Sequence, residues 1–245
     1  MVARNGLTGE DTPLDYLSSH RLFGVLPRVV LVGLSQELVP HECCRGHYIY
    51  HAGDAPSFLF VVRSGLVALS RNDAQGRTRV LLTHRTDDVV GLSSVVFGLR
   101  RTLTACALVN TTGLLLERDT FMYLCRHLPE LSNQVLRELY QRVLYSWEDG
   151  PRLTQGPVTS RVAWYLLESA ARAWPSRPNP DAFDLELPHC DIALLLRTRR
   201  EAVTRALAEL KSQGVIATED RSVLILKPDL LRKVAQHQWP VEPDV

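Results

Sequence analysis

The 245-residue sequence lacks any uninterrupted apolar run long enough to cross a bilayer, and its first twelve residues lack the apolar segment of a signal peptide. We therefore expect no membrane span and a cytoplasmic location. A strong excess of one charge is also absent, because 28 Lys and Arg residues stand against 27 Asp and Glu residues. This balance excludes a globally polybasic protein, so any nucleic-acid site must be a local patch. Ordinary apolar and charged fractions, 45% and 22%, exclude wholesale disorder.

Cysteines are few, with five in the whole chain and no CxxC pair. This number is too small for a disulfide scaffold, so we expect free thiols and neither a zinc ribbon nor an N-terminal iron–sulfur cluster. One dense group has metal-ligand residue types: His41, Cys43, Cys44 and His47. Adjacent residues on a strand face opposite sides, which does not suit one metal ion. We interpret the group as strand and turn residues and expect no metal site.

Familiar catalytic motifs are absent as well. The sequence contains no G-x-S-x-G, P-loop or HExxH motif and no paired-carboxylate constellation. Its isolated cysteines have no visible base partner. We therefore predict that the protein is not an enzyme.

Short apolar, β-branched runs alternate with turn residues between residues 38 and 116, at intervals of roughly 8 to 12 residues. This spacing predicts an antiparallel sandwich or barrel. Residues 72–76 separate two of the runs and are typical of a hairpin turn. The strand candidates are residues 48–50, 58–62, 66–69, 80–82, 89–90 and 114–117.

The hydrophobic period changes from two to 3.6 after residue 119, and residues 128–147 predict a helix of about five turns. Its apolar stripe is broader than packing against one barrel requires. We infer a homodimer in which this helix packs against a second copy, although burial between two domains of one chain would also explain the stripe. Glycine-proline pairs at 150–151 and 156–157 end the helix and predict a hinge. The predicted interface residues are Leu131, Val135, Leu136, Leu139, Val143 and Trp147.

The segment after the hinge predicts the element order of a winged helix-turn-helix. Gly214 is placed like the C-terminal cap of the second of two nearly adjacent helices. The predicted elements are a helix at 158–174, a strand at 183–187, helices at 190–196 and 199–213, and a hairpin of strands 215–216 and 223–226.

A local excess of positive charge lies on the second helix of this pair. Residues 197–211 hold five basic and two acidic side chains, for a charge of +3. Arginine can donate two hydrogen bonds to guanine and a carboxylate can accept one from cytosine, so Arg200, Glu201 and Arg205 suit a half-site containing G·C pairs in the major groove. Thr198 and Arg199, near the positive helix end, suit phosphate contacts. A solvated charged face would also explain the charges, but the neighbouring helix and hairpin favour DNA binding.

From about residue 14 to residue 235, the order of these elements resembles the cyclic-AMP receptor protein/FNR family of bacterial transcription regulators. The shared marks are Gly53-Asp54, Ser64-Gly65-Leu-Val, Gly91, Ala105-Cys-Ala-Leu108 and the segment 191–207. The resemblance implies an α+β fold with an N-terminal, jelly-roll β-barrel like the cyclic-nucleotide-binding domain. The implied parts are a flexible tail (1–13), a sensor domain (14–127), a dimerisation helix (128–150), a hinge (151–157), a winged helix-turn-helix (158–238) and a C-terminal tail (239–245).

Within the helix-turn-helix, the chain is similar to the receptor-protein branch at Arg200, Glu201 and Arg205, which are that family's base readers. The resemblance implies a dimeric regulator of a pseudo-palindromic, TGTGA-like site, with double-stranded DNA and RNA polymerase as partners. The family's turn glycine is absent, and Leu196 and Arg197 stand in its place, which leaves the turn geometry open. The implied phosphate or supporting contacts are Thr159, Thr198, Arg199 and Thr204.

The resemblance also implies where an effector would bind. Cyclic-nucleotide-binding members hold the ribose with a Gly-Glu pair and the cyclic phosphate with an Arg-Ser pair. Here Gly91-Leu92 and Arg101-Thr102 stand at those places, so half of the site is present. Leu92 cannot accept from a ribose hydroxyl, and burying that hydroxyl unpaired costs about 1 to 3 kcal/mol. We expect no cyclic-AMP binding of the usual kind; Arg101 and Thr102 bind another anion, or Arg101 pairs with an acid on the barrel surface.

Two other features bear on the effector. Ser146 could match a hydroxyl that cyclic-AMP members place against the base, whereas the bulky Trp147 and the helix break at 150–151 disfavour such binding. Haem-dependent sensing is an alternative because relatives do it, but no spacing among the histidines at 20, 41, 47, 51 and 84 indicates an axial ligand. A signalling or scaffold protein that uses its winged helix for protein contacts is a further alternative, and it would bind DNA without sequence preference.

Overall fold

The computed structural model describes residues 12–73, 75–76, 78–148, 155–173, 183–184, 187–219 and 222–236. For residues 145–148, 172–173 and 183–184 it describes the backbone alone. The chain divides into two compact units, Met1–Val143 and Leu144–Val245. Residues 1–11 of the predicted N-terminal tail, the predicted C-terminal tail and most of the predicted hinge fall outside the described residues. The last two residues of the predicted N-terminal tail, Thr12 and Pro13, are the N-cap and the first residue of the first helix.

Two four-stranded antiparallel sheets form the centre of the first unit. Their strand orders are β1-β8-β3-β6 and β2-β7-β4-β5, so neighbouring strands are mostly distant in sequence, as in a jelly roll. The antiparallel β-domain predicted from the strand spacing is confirmed, as two sheets rather than a closed barrel. The strands are β1 (Val39–Cys43), β2 (Tyr48–Tyr50), β3 (Phe58–Ser64), β4 (Leu66–Asn72), β5 (Thr78–Arg85), β6 (Val89–Val90), β7 (Thr104–Ala107) and β8 (Thr111–Glu117).

The hairpin predicted around residues 72–76 is confirmed, since β4 and β5 are antiparallel neighbours with Asn72 opposite Thr78. The side chains of strand β3 alternate between the two faces of its sheet. Leu59 and Val61 belong to the core cluster that contains the helices, whereas Phe60 and Val62 belong to the cluster that contains β4 and β7. All four side chains are fully buried, so both faces of this strand are covered.

In addition to its sheets, the first unit contains helices. They are α1 (Pro13–Ser19), α2 (Arg28–Glu37), α3 (Leu92–Phe97), α4 (Arg118–His127) and α5 (Pro129–Glu148). The 20-residue α5 confirms the helix predicted at 128–147. The sequence patterns did not predict α1, α2, α3 or α4. In α2 the Val-rich run favours a strand by propensity, but Leu31 and Leu34 lie one turn apart and are buried, so core packing outweighs propensity.

The second unit has the predicted order of a winged helix-turn-helix. Helices α8 and α9 both pack on α6, and the three-stranded sheet has the order β10-β11-β9. Gly214, which follows the C-cap Gln213 of α8, has a left-handed φ of 62°, as expected after a helix C-terminus. The elements are α6 (Val158–Ala173), β9 (Phe183–Asp184), α7 (His189–Leu195), α8 (Arg200–Ser212), β10 (Ile216–Glu219), β11 (Ser222–Ile225) and α9 (Pro228–Ala235).

Candidate functional site

Helix α8 has one buried side and one exposed side, which together explain its charge pattern. The buried residues are Val203, Ala206, Leu207 and Leu210, spaced at one helical turn. Arg200, Glu201 and Arg205, predicted as base readers, are all exposed on the same helix. The charged side chains are therefore accessible to a ligand, while the apolar side chains anchor the helix in the second unit.

The turn between α7 and α8 forms without the family's glycine. Arg197 takes the left-handed conformation, with a φ of 49°, and its side chain is exposed. The amide of Thr198 then donates to the carbonyl of Ala193 at 2.9 Å, which closes the turn. An L-residue in this conformation crowds its Cβ against the backbone, so the turn keeps its shape at a cost in stability.

A buried arginine that sequence reasoning missed supports this turn. Arg161, in the first turn of α6, is 9% exposed, and its Nη1 donates to the carbonyl of Leu196. Its Nε has no hydrogen-bond partner, and burial lowers the pKa of its guanidinium. The sequence did contain a signal of this burial. Arg161 is the charged residue of segment 160–166, whose other side chains are apolar except for Ser160 and the hydroxyl of Tyr165.

Two of the predicted supporting threonines are already hydrogen-bonded within the unit. The Thr204 hydroxyl donates to the Arg200 carbonyl at 3.1 Å and lies 3.0 Å from Nδ1 of His189 on α7. The Thr159 hydroxyl donates to Oε2 of Glu209 at 2.8 Å. The Thr204–His189 and Thr159–Glu209 bonds link α8 to neighbouring helices, so these threonines stabilise the position of α8 in the unbound protein.

The other two supporting residues begin α8. Arg199 is its exposed N-cap residue, with an extended backbone, and Thr198 is half-buried just before it. The first amides of a helix lack intrahelical acceptors and lie at the positive end of its dipole. This end of α8 therefore has a positive potential that favours an anion; the phosphate contacts of Thr198 and Arg199 stay a prediction.

In the first unit, Arg101 is the residue that the family resemblance predicts to bind a phosphate, and its side chain is buried. Its exposed fraction is 2%, its Nη1 donates to the Gly91 carbonyl at 2.9 Å, and its Nη2 donates to the Phe58 carbonyl. Its guanidinium lies 4.2 Å from the centre of the Tyr50 ring. Its contacts are therefore backbone carbonyls and aromatic rings instead of the surface acid predicted as its alternative partner. Burial lowers the pKa of Arg101, while Tyr50 and Asp54 oppose this shift.

The other residues predicted at the effector site differ from one another in exposure. Leu92 is fully buried in the core cluster of the helices, whereas Thr102 is exposed. Gly91 has a φ of 84°, and a Cβ there would meet the Arg101 guanidinium. Leu92 is therefore a core residue rather than a ribose contact. Ser146 lies within α5, but its side chain, like that of Trp147, is outside the described residues.

Polar contacts attach α5 to the β-domain. Arg21 lies 2.6 Å from a carboxylate oxygen of Asp88 and 3.0 Å from one of Glu138 on α5. Arg142, also on α5, donates to the Val89 carbonyl at 2.6 Å. Burial lowers the pKa of Arg142, partly offset by Asp88 and Glu138. These contacts hold the middle of α5 on its own β-domain.

The predicted interface residues of α5 separate into two groups. Leu131 and Val135 are buried in the core of their own chain, and Leu139 packs against that core. The broad stripe is thus used in part within the chain, which corrects the assignment of Leu131 and Val135 to the interface. Leu139 is only partly buried and stays a predicted interface residue. Leu136 and Val143 form the second group and are 64% and 41% exposed. Tyr140, which lies between them in the sequence, is 59% exposed.

The dense group around Cys43 does not converge. The Cys43 side chain is buried, and its Sγ donates to the His47 carbonyl at 3.5 Å, while Cys44 and the His47 side chain are exposed. His41 packs edge-on against Phe60. None of the five cysteines forms a disulfide. Among the residues that the structure describes, no helix is both long and apolar enough to span a membrane.

Comparisons with known proteins agree with this division of the chain. The family model of the cyclic nucleotide-binding domain matches residues 40–127, and that of the Crp-like helix-turn-helix domain matches residues 160–234. The chain is 29% identical over 213 residues to a CRP-like cAMP-activated global transcriptional regulator of Mycobacterium tuberculosis, covering 87% of this chain and 95% of that protein. It is 27% identical to a cyclic AMP receptor protein of Thermus thermophilus, covering 86% and 94%.

Solved structures show the same architecture. FixK2 from Bradyrhizobium japonicum superposes with a TM-score of 0.71 at 21% identity, covering 80% of this chain and 96% of that one. A CRP-family transcriptional regulator from Thermus thermophilus superposes with a TM-score of 0.63 at 25% identity, with the same coverage.

Proposed function

Because the chain belongs to the CRP/FNR family of bacterial transcription regulators, we propose that it is a dimeric, cytoplasmic regulator that reads a pseudo-palindromic DNA site. Regulators of this family are not enzymes, and they bind DNA through the helix-turn-helix. The observation that carries the specific proposal is the exposure of Arg200, Glu201 and Arg205 on a helix whose opposite side is buried. In this proposal α8 enters the major groove.

The chemistry of these three side chains favours a TGTGA-like half-site. A bidentate arginine contact to guanine and a carboxylate contact to cytosine each discriminate by about 1 to 3 kcal/mol. Thr198 and Arg199 approach the phosphates at the positive end of α8. Thr159 and Thr204 support α8 through Glu209 and His189. RNA polymerase is the proposed protein partner, as the family resemblance implies.

Selection from a random duplex pool at about physiological salt, with and without cyclic nucleotides, tests the proposal. We expect enrichment of a palindrome with TGTGA-like halves. Arg200→Ala should weaken binding to that site by about 1 to 3 kcal/mol and relax the preference at one base pair. Arg232→Ala on α9 is the matched control, because it removes the same charge from an exposed position outside α8. Equal selectivity of the Arg200→Ala variant and the parent would refute the assigned role.

The dimer is proposed to form through the exposed part of α5. Leu136, Tyr140 and Val143 follow one another at spacings of four and three residues, so they share one face of the helix. A self-complementary contact of this kind generates a two-fold axis, which matches a palindromic site. Residues 128–150 are the proposed dimerisation helix.

We further propose that the sensor domain, residues 14–127, does not bind cyclic AMP in the family's usual way. Two observations support this proposal: the Leu92 side chain is part of the core, and the Arg101 guanidinium is engaged by two backbone carbonyls. Titration calorimetry with cyclic AMP should show no binding in the micromolar range. Palindrome enrichment only in the arm with nucleotide would overturn this part of the proposal and leave the DNA site in place.

A further inference from the structure

Arg161 occupies an unusual environment for an arginine. It is nine-tenths buried in the first turn of α6, and among the described residues no Asp or Glu forms an ion pair with it. Its hydrogen bond goes to the carbonyl of Leu196, while its Nε has no partner. A buried cation without a counter-ion is unfavourable for folding, so stability alone does not account for an arginine at this position.

The acceptor of this bond lies at the junction of the two helices of the helix-turn-helix. Leu196 is the C-cap of α7, and α7 ends with the negative pole of its dipole, which attracts a guanidinium. The next residue, Arg197, has the strained left-handed backbone, and α8 begins three residues later. The Arg161 contact is therefore made at the point where the chain changes direction into α8.

A second contact from the same turn of α6 reaches the far half of α8. The Thr159 hydroxyl donates to Glu209, nine residues after the start of the helix. The first turn of α6 thus holds α8 near both ends, directly through Glu209 and through the preceding turn at Leu196. Of the two contacts, the one made by Arg161 is buried and the one made by Thr159 is exposed.

We propose that Arg161 is a positioning residue for DNA recognition: by holding the Leu196 carbonyl, it sets the orientation in which α8 presents Arg200 and Glu201. The inference rests on the proposed function, since it assigns to Arg161 a role in sequence selectivity. It acts through the turn and touches no DNA.

The test compares the full-length parent with Arg161→Met, which keeps length and packing but cannot donate, and with Arg161→Lys, which can donate to Leu196. Arg232→Met is the matched control for the loss of one positive charge from the same unit. Two properties are measured for each protein. They are hydrogen exchange of the backbone amides and the ratio of affinities for the selected duplex and a scrambled duplex of equal length.

We expect the Arg161→Met variant to keep its melting temperature within a few degrees while the amides of Leu196 and Thr198 exchange at least about tenfold faster. The amide of Leu231 on α9 should exchange at the parental rate. The affinity ratio should fall at least about fivefold, and Arg161→Lys should recover much of it. Arg232→Met should leave exchange at the turn and the affinity ratio unchanged.

Parental exchange and parental selectivity in Arg161→Met would overturn the inference. So would loss of folding in both Arg161 variants, because Arg161 would then be a residue required for the fold. If the parent itself shows no sequence selectivity, the proposed function fails and the positioning role falls with it. Unchanged exchange with a selective parent would instead overturn the inference about Arg161 alone.

Discussion

Replacing Arg197 by glycine is expected to stabilise the second unit. Arg197 has a φ of 49°, and its exposed side chain makes no contact that the turn requires. The left-handed conformation costs an L-residue about 1 to 2 kcal/mol, and glycine avoids this cost. The greater freedom of glycine in the unfolded chain offsets about 0.4 to 1 kcal/mol. The net gain is then about 0.5 to 1 kcal/mol.

For a domain of roughly 100 residues, such a gain raises Tm by about 2 to 8 °C. Scanning calorimetry of the full chain, with the two units followed as separate transitions, measures it. Arg197→Ala is the matched control, because it removes the same charge and side chain but retains the unfavourable backbone. Arg197→Asn should fall between the two, since asparagine tolerates this conformation better than most residues.

The comparison of the glycine and alanine variants decides the outcome. If their second transitions have equal Tm values, backbone strain at Arg197 contributes nothing and the argument is refuted. If both variants are more stable than the parent by the same amount, the guanidinium charge is responsible. A lower Tm for the glycine variant would mean that the turn requires the rigidity of an L-residue.

Burial lowers the pKa of His20 to about 4 in the folded chain, whereas the unfolded chain has an ordinary histidine pKa. Between about pH 6.5 and 4, His20 is therefore protonated in the unfolded chain and neutral in the folded chain. In urea unfolding, the contribution of His20 to the free energy of unfolding should therefore be complete above about pH 6.5. On acidification the free energy of unfolding should fall by at most about 1.4 kcal/mol per pH unit. The slope should be smaller in His20→Gln, and an equal slope in both proteins would contradict this prediction. Leu136→Asp should shift the protein towards monomer in analytical ultracentrifugation with little change in Tm, because the side chain is 64% exposed in the chain; a persistent dimer would exclude this face of α5. Gly113→Ala should destabilise the first unit by about 1 to 3 kcal/mol, because its Cβ would meet the buried Phe60 ring; a chemical denaturation midpoint equal to that of the parent would show that the ring can move.

Local patterns in the sequence were sufficient for the β-domain, the long helix and the winged helix-turn-helix. They were sufficient because periods of two and 3.6 and the turn residues are read over a few neighbouring positions. The outward position of Glu201 and Arg205 followed from the same logic, since burying Val203 and Leu207 places them on the opposite side of one helix. Arg200 is exposed as the first residue of that helix. The helices α1 to α4 and α9 were missed because they are short or have strand-like composition, and contacts with the rest of their unit decide their conformation.

Only the tertiary structure decided which partners the remaining polar and apolar groups have. Leu131 and Leu136 belong to one apolar stripe, yet the first is buried in its own core and the second is exposed, because the β-domain covers just part of the helix. Arg101 and Arg161 are ordinary arginines in the sequence. Each is buried and donates to a backbone carbonyl of a distant segment, at Phe58 and Leu196 respectively. Long-range packing selects such acceptors, and no local spacing contains that information.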